Sequence, residues 1–235
     1  MAATRLPGKP LLKINDLSIV SHVFKRAKEA DIGEVVVATE DQEILDDVVK
    51  NGGSGILTSS EHKTGTDRIF EAYKKLDIKN IDYILNLQGD EPNINKDDII
   101  NLNNLMVNND SEIGTLAANI KEDKILNNEN VVKVMTEDAL KKKTFPIAVD
   151  FSRKKLSNNY KNIYHHIGIY SYKVSTLEKF INLSQTKNEK KYKLEQLRAL
   201  DNNMKINVAL AKCSPIGVDT KEDYLAIKKI MEYKA

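Results

Sequence analysis

Cysteine is almost missing from this chain: Cys213 is the single one in 235 residues. One thiol excludes an intrachain disulfide and a cysteine-built metal cluster, and it fits a reducing compartment. Cys213 itself reads as an ordinary semi-buried residue rather than a nucleophile. No apolar run approaches the ~20 residues that a membrane helix needs. The first ten residues, MAATRLPGKP, lack the apolar stretch of a secretory signal. Charge of one sign is missing too: 36 Lys and Arg against 34 Asp and Glu leave a formal charge of +2. That balance offers no whole-chain attraction to nucleic acid or to a membrane surface. An anion must therefore be bound through local placement of Arg and Lys. There is no Pro/Gly/Ser-rich linker, no internal repeat, and neither a P-loop nor a GxGxxG fingerprint. The expectation is a cytoplasmic protein that binds neither nucleic acid nor membrane.

What is there suits one α/β domain, or one domain with a small insertion. In the first half, helical and strand periodicities alternate. Residues 18–30 put Ile19, Val20, Val23, Phe24 and Ala27 on one helix face. Residues 34–39 and 56–58 read as buried strands around a helix over 41–50, with Gly52 just past its end. A helix over 66–76, capped by Thr66, precedes a strand over 83–87 and a helix over 96–107. Such alternation predicts a doubly wound, mostly parallel sheet. In that architecture, ligands bind beyond the carboxyl ends of the strands. The second half changes character. Residues 114–120, 131–135, 145–151 and 164–172 read as strands without crossover helices. Helices over 174–183 and 190–202, a strand over 206–212 and a last helix over 221–233 follow. This predicts an antiparallel insertion around 113–200, used for a second substrate or for subunit contact. A phosphate loop in a doubly wound fold follows a buried first strand, yet nothing apolar precedes Leu6. A first strand is expected to be missing, with Met1 an internal methionine of a longer protein.

Four short motifs carry chemistry. In Thr4-Arg5-Leu6-Pro7-Gly8-Lys9-Pro10-Leu11, Gly8 admits close backbone approach to an anion and the prolines stiffen the loop. Arg5 offers a bidentate grip on phosphate and Lys9 a point charge. The plain alternative is a flexible basic tail. In HKTGTDR (62–68) a glycine turn enters a helix. Arg68 there opposes the helix dipole and needs an anion or another reason to sit there; otherwise it is a solvated residue in a capped first turn. Gln88-Gly89-Asp90-Glu91-Pro92 follows a buried strand. A carboxylate there suits Mg²⁺, a hard cation that takes one or two carboxylates plus phosphate oxygens, with Gly89 leaving room for a ligand. The alternative is an acidic turn. In Gly217-Val218-Asp219-Thr220, Asp219 is either a second metal carboxylate or a helix N-cap, and the residues alone favour the cap. His165 and His166, adjacent in a strand, face opposite sides and cannot form a simple two-ligand metal site.

Together these motifs resemble the 3-deoxy-manno-octulosonate cytidylyltransferases. Six segments match in order: TRLPGKPL (4–11), HKTGTDR (62–68), LQGDEP (87–92), HIGIY (166–170), LEQLR (194–198) and GVDT (217–220). The resemblance implies one nucleotidyltransferase domain over 1–235, acting on CTP and an acidic eight-carbon sugar in lipopolysaccharide biosynthesis. It implies that Arg5 and Lys9 bind the triphosphate and that Arg68 and Gln88 hold the nucleotide. It implies that Asp90 and Asp219 coordinate Mg²⁺, and that Arg153, His166, Glu195 and Gln196 contact the sugar. A homodimer is also implied. The chain departs from the family's pattern in lacking a first strand that ends in Pro-x-Arg. It also carries Ala3 for a serine, His165 for the usual basic residue, and Leu156-Ser157 for Ile-Pro. Two competing readings are a related enzyme such as a CMP-sialic acid synthetase, and a non-catalytic nucleotide-binding remnant.

Overall fold

The structure, a computed structural model, describes residues 6–154 and 161–233. Arg5 and Ala3, and the Leu156-Ser157 pair, lie outside the described residues. The chain divides into two compact units. One takes the chain up to Lys79, then Asn86–Ile99 and everything from Pro215; the other is Asn80–Leu85 with Ile100–Ser214.

The first unit opens on a 3-10 turn, Lys9–Leu11, preceded by Gly8 at φ 67°. That left-handed backbone costs a glycine nothing. Strands β1 (Lys13–Ile14) and β2 (Leu17–Ser18) form a tight antiparallel hairpin that sequence periodicity did not foretell. Its turn residues Asn15 and Asp16 both take positive φ, as a two-residue hairpin turn requires. Helix α1 (Ile19–Glu29) starts on Ser18, whose hydroxyl accepts the Ser21 N–H at 3.2 Å. Strand β3 (Val37–Thr39) leads through α2 (Gln42–Lys50) to β4 (Gly55–Leu57), and the two strands pair in parallel. Asp41 caps α2 by accepting the Glu43 N–H. Helix α3 (Gly65–Leu76) begins one residue earlier than expected. Its cap is Thr64 rather than Thr66, because Thr64 has the extended backbone that lets its hydroxyl accept the Asp67 N–H.

The second unit is built on a mixed six-stranded sheet. In chain order its elements are β5 (Tyr83–Asn86), α4 (Lys96–Asn109), β6 (Ile113–Ala118), α5 (Asp123–Asn127), β7 (Lys133–Thr136), β8 (Ala148–Ser152), β9 (Ile163–Lys173), α6 (Val174–Ile181), α7 (Lys187–Tyr192), α8 (Leu197–Asp201) and β10 (Ile206–Leu210). The strand order is β10-β6-β9-β7-β8, with β5 also paired to β9. β10 runs parallel to β6, whereas β6/β9, β7/β9 and β7/β8 are antiparallel. Apart from the β1/β2 hairpin, these antiparallel ladders fall within the 113–200 region, and parallel pairing is confined to β3/β4 and β6/β10 among the described ladders. The single helix expected over 190–202 is instead α7 and α8. Lys193 takes φ 54° and ends α7, which frees the next residues to turn inward. Cys213 is exposed rather than semi-buried, since it lies in the loop beyond the end of β10. The chain returns to the first unit as α9 (Lys221–Glu232).

β6 is buried at all six positions, and Gly114 within it is held by close packing. A Cβ there would lie 2.9 Å from the Phe145 ring and 3.1 Å from Leu102, with the Met106 sulfur closer still. We therefore expect Gly114→Val to overpack this core and cost about 1–3 kcal/mol. Urea unfolding of the variant against the parent chain measures it, and an unchanged midpoint would refute the packing account.

Candidate active site

Two residues 210 positions apart, Lys9 and Asp219, meet in the first unit. Leu6 and Leu12 flank the Lys9 turn and pack on a buried apolar cluster of Ile14, Ile19, Val218 and Ile227. Burying such side chains stabilises by roughly 1.5–3 kcal/mol each, so the cluster holds both chain segments firmly. Val218 is fully buried in it, while the neighbouring Asp219 side chain is 52% exposed. Two further bonds tie this segment to the turn after β5. The Val218 N–H donates to the Asp90 carbonyl at 3.0 Å, and the Ile216 N–H donates to Asn93 Oδ1 at 3.0 Å. As a result, Lys9 Nζ lies 2.7 Å from Asp90 Oδ2 and 3.3 Å from Asp219 Oδ1. One ammonium bridges two carboxylates, and the three groups come from three distant motifs.

Asp219 is not the helix cap that its residue type favoured. Thr220 caps α9, accepting the Asp223 N–H at 3.2 Å, and the Asp223 carboxylate accepts the Thr220 and Asp219 N–H groups. This capping box satisfies the helix end and leaves the Asp219 side chain for Lys9. Glu91, next to Asp90, behaves differently. Burial, and then the Asp90 charge, push its carboxyl up to about 8, so it is largely neutral at pH 7. Sequence reasoning treated it as part of a turn. At Gly89 an added Cβ would meet only Val20 at 3.9 Å, so the protein itself does not demand glycine there. Gln88 is exposed two positions before Asp90.

Arg68 has the reason it needed for sitting in the first turn of α3. Its guanidinium donates to Thr58 Oγ1 at 2.6 Å, to the Ser59 carbonyl at 3.2 Å, and to the Glu40 carboxylate. Arginine carries five N–H donors, so these bonds leave part of the fork for a ligand. The loop that receives Arg68 is itself braced. The Glu71 carboxylate accepts the Ser59 N–H at 2.9 Å and contacts His62 and Lys75. Those three contacts, Lys75 first, hold the Glu71 carboxyl down to about 2. Neither Glu40 nor Glu71 stood out in the sequence, since a glutamate on a helix or after a strand has no motif of its own.

The residues expected to contact an acceptor lie in the second unit. His165 and His166 do face opposite sides of β9. His165 Nδ1 meets Ser214 Oγ at 2.8 Å. His166 is buried, with its Nε2 3.0 Å from Thr115 Oγ1. The Thr115 hydroxyl also lies within hydrogen-bonding distance of the Ile169 and Ile167 carbonyls, at 2.7 and 3.2 Å. Phe151 stands edge-on to the ring at 5.0 Å, and Tyr170 packs at 5.5 Å. Burial, then the charges of His165 and Arg153, push the His166 imidazole down to about 3. Arg153 is among the charges that act on His166, and Glu195 among those that act on Tyr170. Gln196 is buried at the start of α8. What places Glu195 and Gln196 is a pair that sequence reading missed. Arg198 grips Glu189 through two bonds of 2.9 and 2.6 Å, with both side chains about 5% exposed or less. Arg198 also covers the Phe180 ring at 4.7 Å and reaches Glu195 Oε1 at 3.7 Å.

Comparison with known proteins gives a consistent result. Residues 1–206 match the cytidylyltransferase family model. A 3-deoxy-manno-octulosonate cytidylyltransferase of Nitrobacter hamburgensis is 41% identical over 232 residues, covering 98% of this chain and 89% of the relative. That of Thermodesulfovibrio yellowstonii is 42% identical over 241 residues, covering 97% and 94%. A solved structure of a CMP:2-keto-3-deoxy-manno-octonic acid synthetase complexed with CTP has a TM-score of 0.89 at 31% identity, covering 99% of this chain and 95% of that one. A UDP-glucose pyrophosphorylase, 12% identical with a TM-score of 0.74 over 100% of this chain and 96% of its own, shares the fold alone.

Two outcomes are expected from the second unit. Arg198→Ala strands a buried carboxylate and should cost about 3–5 kcal/mol in urea unfolding, while replacing Arg198 and Glu189 together by apolar residues should recover most of that loss. For His166 the folded value of about 3 lies below the ordinary 6.5. The unfolded chain then binds the extra proton, so this contribution is complete above pH 6.5 and is lost as pH falls toward 3. Stability measured from pH 7 to pH 5 should fall more steeply for the parent chain than for His166→Gln; parallel slopes would contradict the assignment.

Proposed function

The chain belongs to the cytidylyltransferase family and, within it, to the 3-deoxy-manno-octulosonate cytidylyltransferases, and on that footing we propose that it transfers CMP from CTP to 3-deoxy-D-manno-octulosonate, releasing pyrophosphate, for lipopolysaccharide biosynthesis. The observation that carries this reading is the Lys9 ammonium set between Asp90 and Asp219. Residues from three motifs meet there, as handling a metal-bound triphosphate demands. The sugar's anomeric hydroxyl gives its proton to solvent as its oxygen forms a bond to the α-phosphorus; the bond from that phosphorus to the bridging β-phosphate oxygen breaks, and pyrophosphate leaves with the electron pair.

In phosphoryl-type transfer the protein chiefly positions and neutralises. Lys9 lies where it can exchange a carboxylate for a phosphate oxygen. Arg68, braced by Glu40 and the Thr58–Ser59 backbone, keeps donors for the nucleotide. Gln88 adds a further polar contact, and Arg5, outside the described residues, a second cation for the phosphates. Magnesium fits the two carboxylates. They already share a cation, and their donors are all oxygen. Asp90 and Asp219 would hold the ion, which when bound supplies charge neutralisation and Lewis acidity at the phosphates.

Arg153, His166, Glu195 and Gln196 make up the acceptor side. Arg153 matches the sugar's carboxylate in charge, and the other three match its hydroxyls in hydrogen-bonding capacity. His166 remains neutral throughout the physiological range, so it acts as a hydrogen-bond partner and not as a counter-charge. The protein works as a cytoplasmic homodimer in this reading. No helix among the described residues is long and apolar enough to cross a membrane.

Pyrophosphate release is the test. It should require CTP, 3-deoxy-D-manno-octulosonate and Mg²⁺ together. A preference for sialic acid would move the chain to a sister activity, and Mg²⁺-dependent CTP binding without turnover would make it a binding remnant. Asp90→Asn should abolish turnover with its unfolding midpoint little changed. Parent-like turnover in that variant would remove Asp90 from the metal site.

A further inference from the structure

The second unit hides a cation that the reaction above does not use. Lys133, the first residue of β7, has the largest side chain among those essentially sealed from solvent. Its ammonium donates to the carbonyls of Asn128 and Val131 at 3.0 Å each, and to the carbonyl of Arg153. An ammonium has three donors and no acceptor. All three are therefore spent on backbone, and none is left for a carboxylate.

A buried cation without a bound carboxylate is expensive, and burial correspondingly lowers the pKa of Lys133. A methionine would fill a similar volume at far lower cost, so packing does not explain a lysine here. The partners do. Asn128 and Val131 belong to one loop, and Arg153 follows the last residue of β8. From the other side, Arg153 Nη1 donates to the Asn130 carbonyl at 3.1 Å. The same loop is thus clasped twice, by Lys133 through its side chain and by Arg153 through its own. In register, Lys133 lies opposite Ser152 on β8 and opposite His165 on β9. It stands between the segment bearing Arg153 and the strand bearing His166.

We propose that Lys133 is a positioning residue for the acceptor side: its buried ammonium fixes the Arg153 backbone against the 128–131 loop and so aims the Arg153 guanidinium. This rests on the proposed function in naming what Arg153 receives. The clasp itself does not. Displacements of about 1 Å in a positioning group are enough to cost a hundredfold in rate.

The experiment compares the full-length chain with Lys133→Met and Lys133→Arg, with two readouts. Hydrogen exchange, measured without substrates, should show the amides of residues 128–131 and 152–154 exchanging about tenfold faster or more in both variants. The Val131 amide, bonded to the Asn128 carbonyl at 3.1 Å, is the most direct reporter. Steady-state kinetics should show KM for 3-deoxy-D-manno-octulosonate raised about tenfold or more, with KM for CTP within about twofold. Unchanged exchange, or KM values for both substrates shifting together, overturns the proposal. If Lys133→Met does not fold, Lys133→Arg keeps the charge without the three-carbonyl fit and carries both readouts. A parent enzyme inert toward this sugar would sink the functional reading instead, while the exchange rates would still judge the clasp.

Discussion

Everything in the candidate site follows from getting two carboxylates to stand next to each other. Two such groups repel, and two chain segments this far apart in sequence meet only at an entropic cost. The backbone bond from the Val218 amide to the Asp90 carbonyl sets their spacing, and the apolar cluster around Val218 and Ile227 supplies the driving force. Lys9, carried on the same cluster by Leu6 and Leu12, offsets the repulsion. A hydrophobic contact thus does the assembling, and the polar groups only occupy the positions it creates. The capping box of Thr220 and Asp223 completes the arrangement, because it relieves Asp219 of the task of ending the helix.

The second unit solves a different problem. Its sheet buries polar groups as well as apolar ones, among them Thr115, Lys133 and His166. Fixed polar groups inside a protein must be bonded on all sides or they destabilise it. The bidentate Arg198–Glu189 pair and the three-carbonyl seat of Lys133 meet that condition, and each is adjacent in sequence or register to residues assigned to the acceptor. His166 meets it through Thr115. The imidazole packs against the Phe151 and Tyr170 rings and stays uncharged.

How much of this was legible in advance varies with the range of the interaction involved. Helix α1 and its Ser18 start, the β3-α2-β4 crossover and the opposed faces of His165 and His166 follow from local periodicity, and the structure has them within a few residues. Cap assignment was off by two at α3, because residue type does not reveal which of two threonines has extended backbone. The break between α7 and α8 was invisible, since Lys193 is an ordinary helix former. The chain bends there because the Arg198–Glu189 pair holds the two short helices side by side. Glu40, Glu71 and Lys133 carried no motif at all. Their significance lies wholly in what they touch.

Side-chain type and near-neighbour spacing dictate the alternation of strands and helices, the change of character near residue 113, and the motifs that hold the chemistry, so these were legible in the sequence alone. Those same signals favoured a helix cap for Asp219, and they could not rank Lys133 above any other lysine. The tertiary structure moves the cap to Thr220, sets Asp219 against Lys9, and seats the Lys133 ammonium on three carbonyls. A carboxylate or an ammonium takes its role from the groups within about 3 Å of it, and around Lys9 those groups arrive from distant parts of the chain, brought together by apolar burial that no local pattern records.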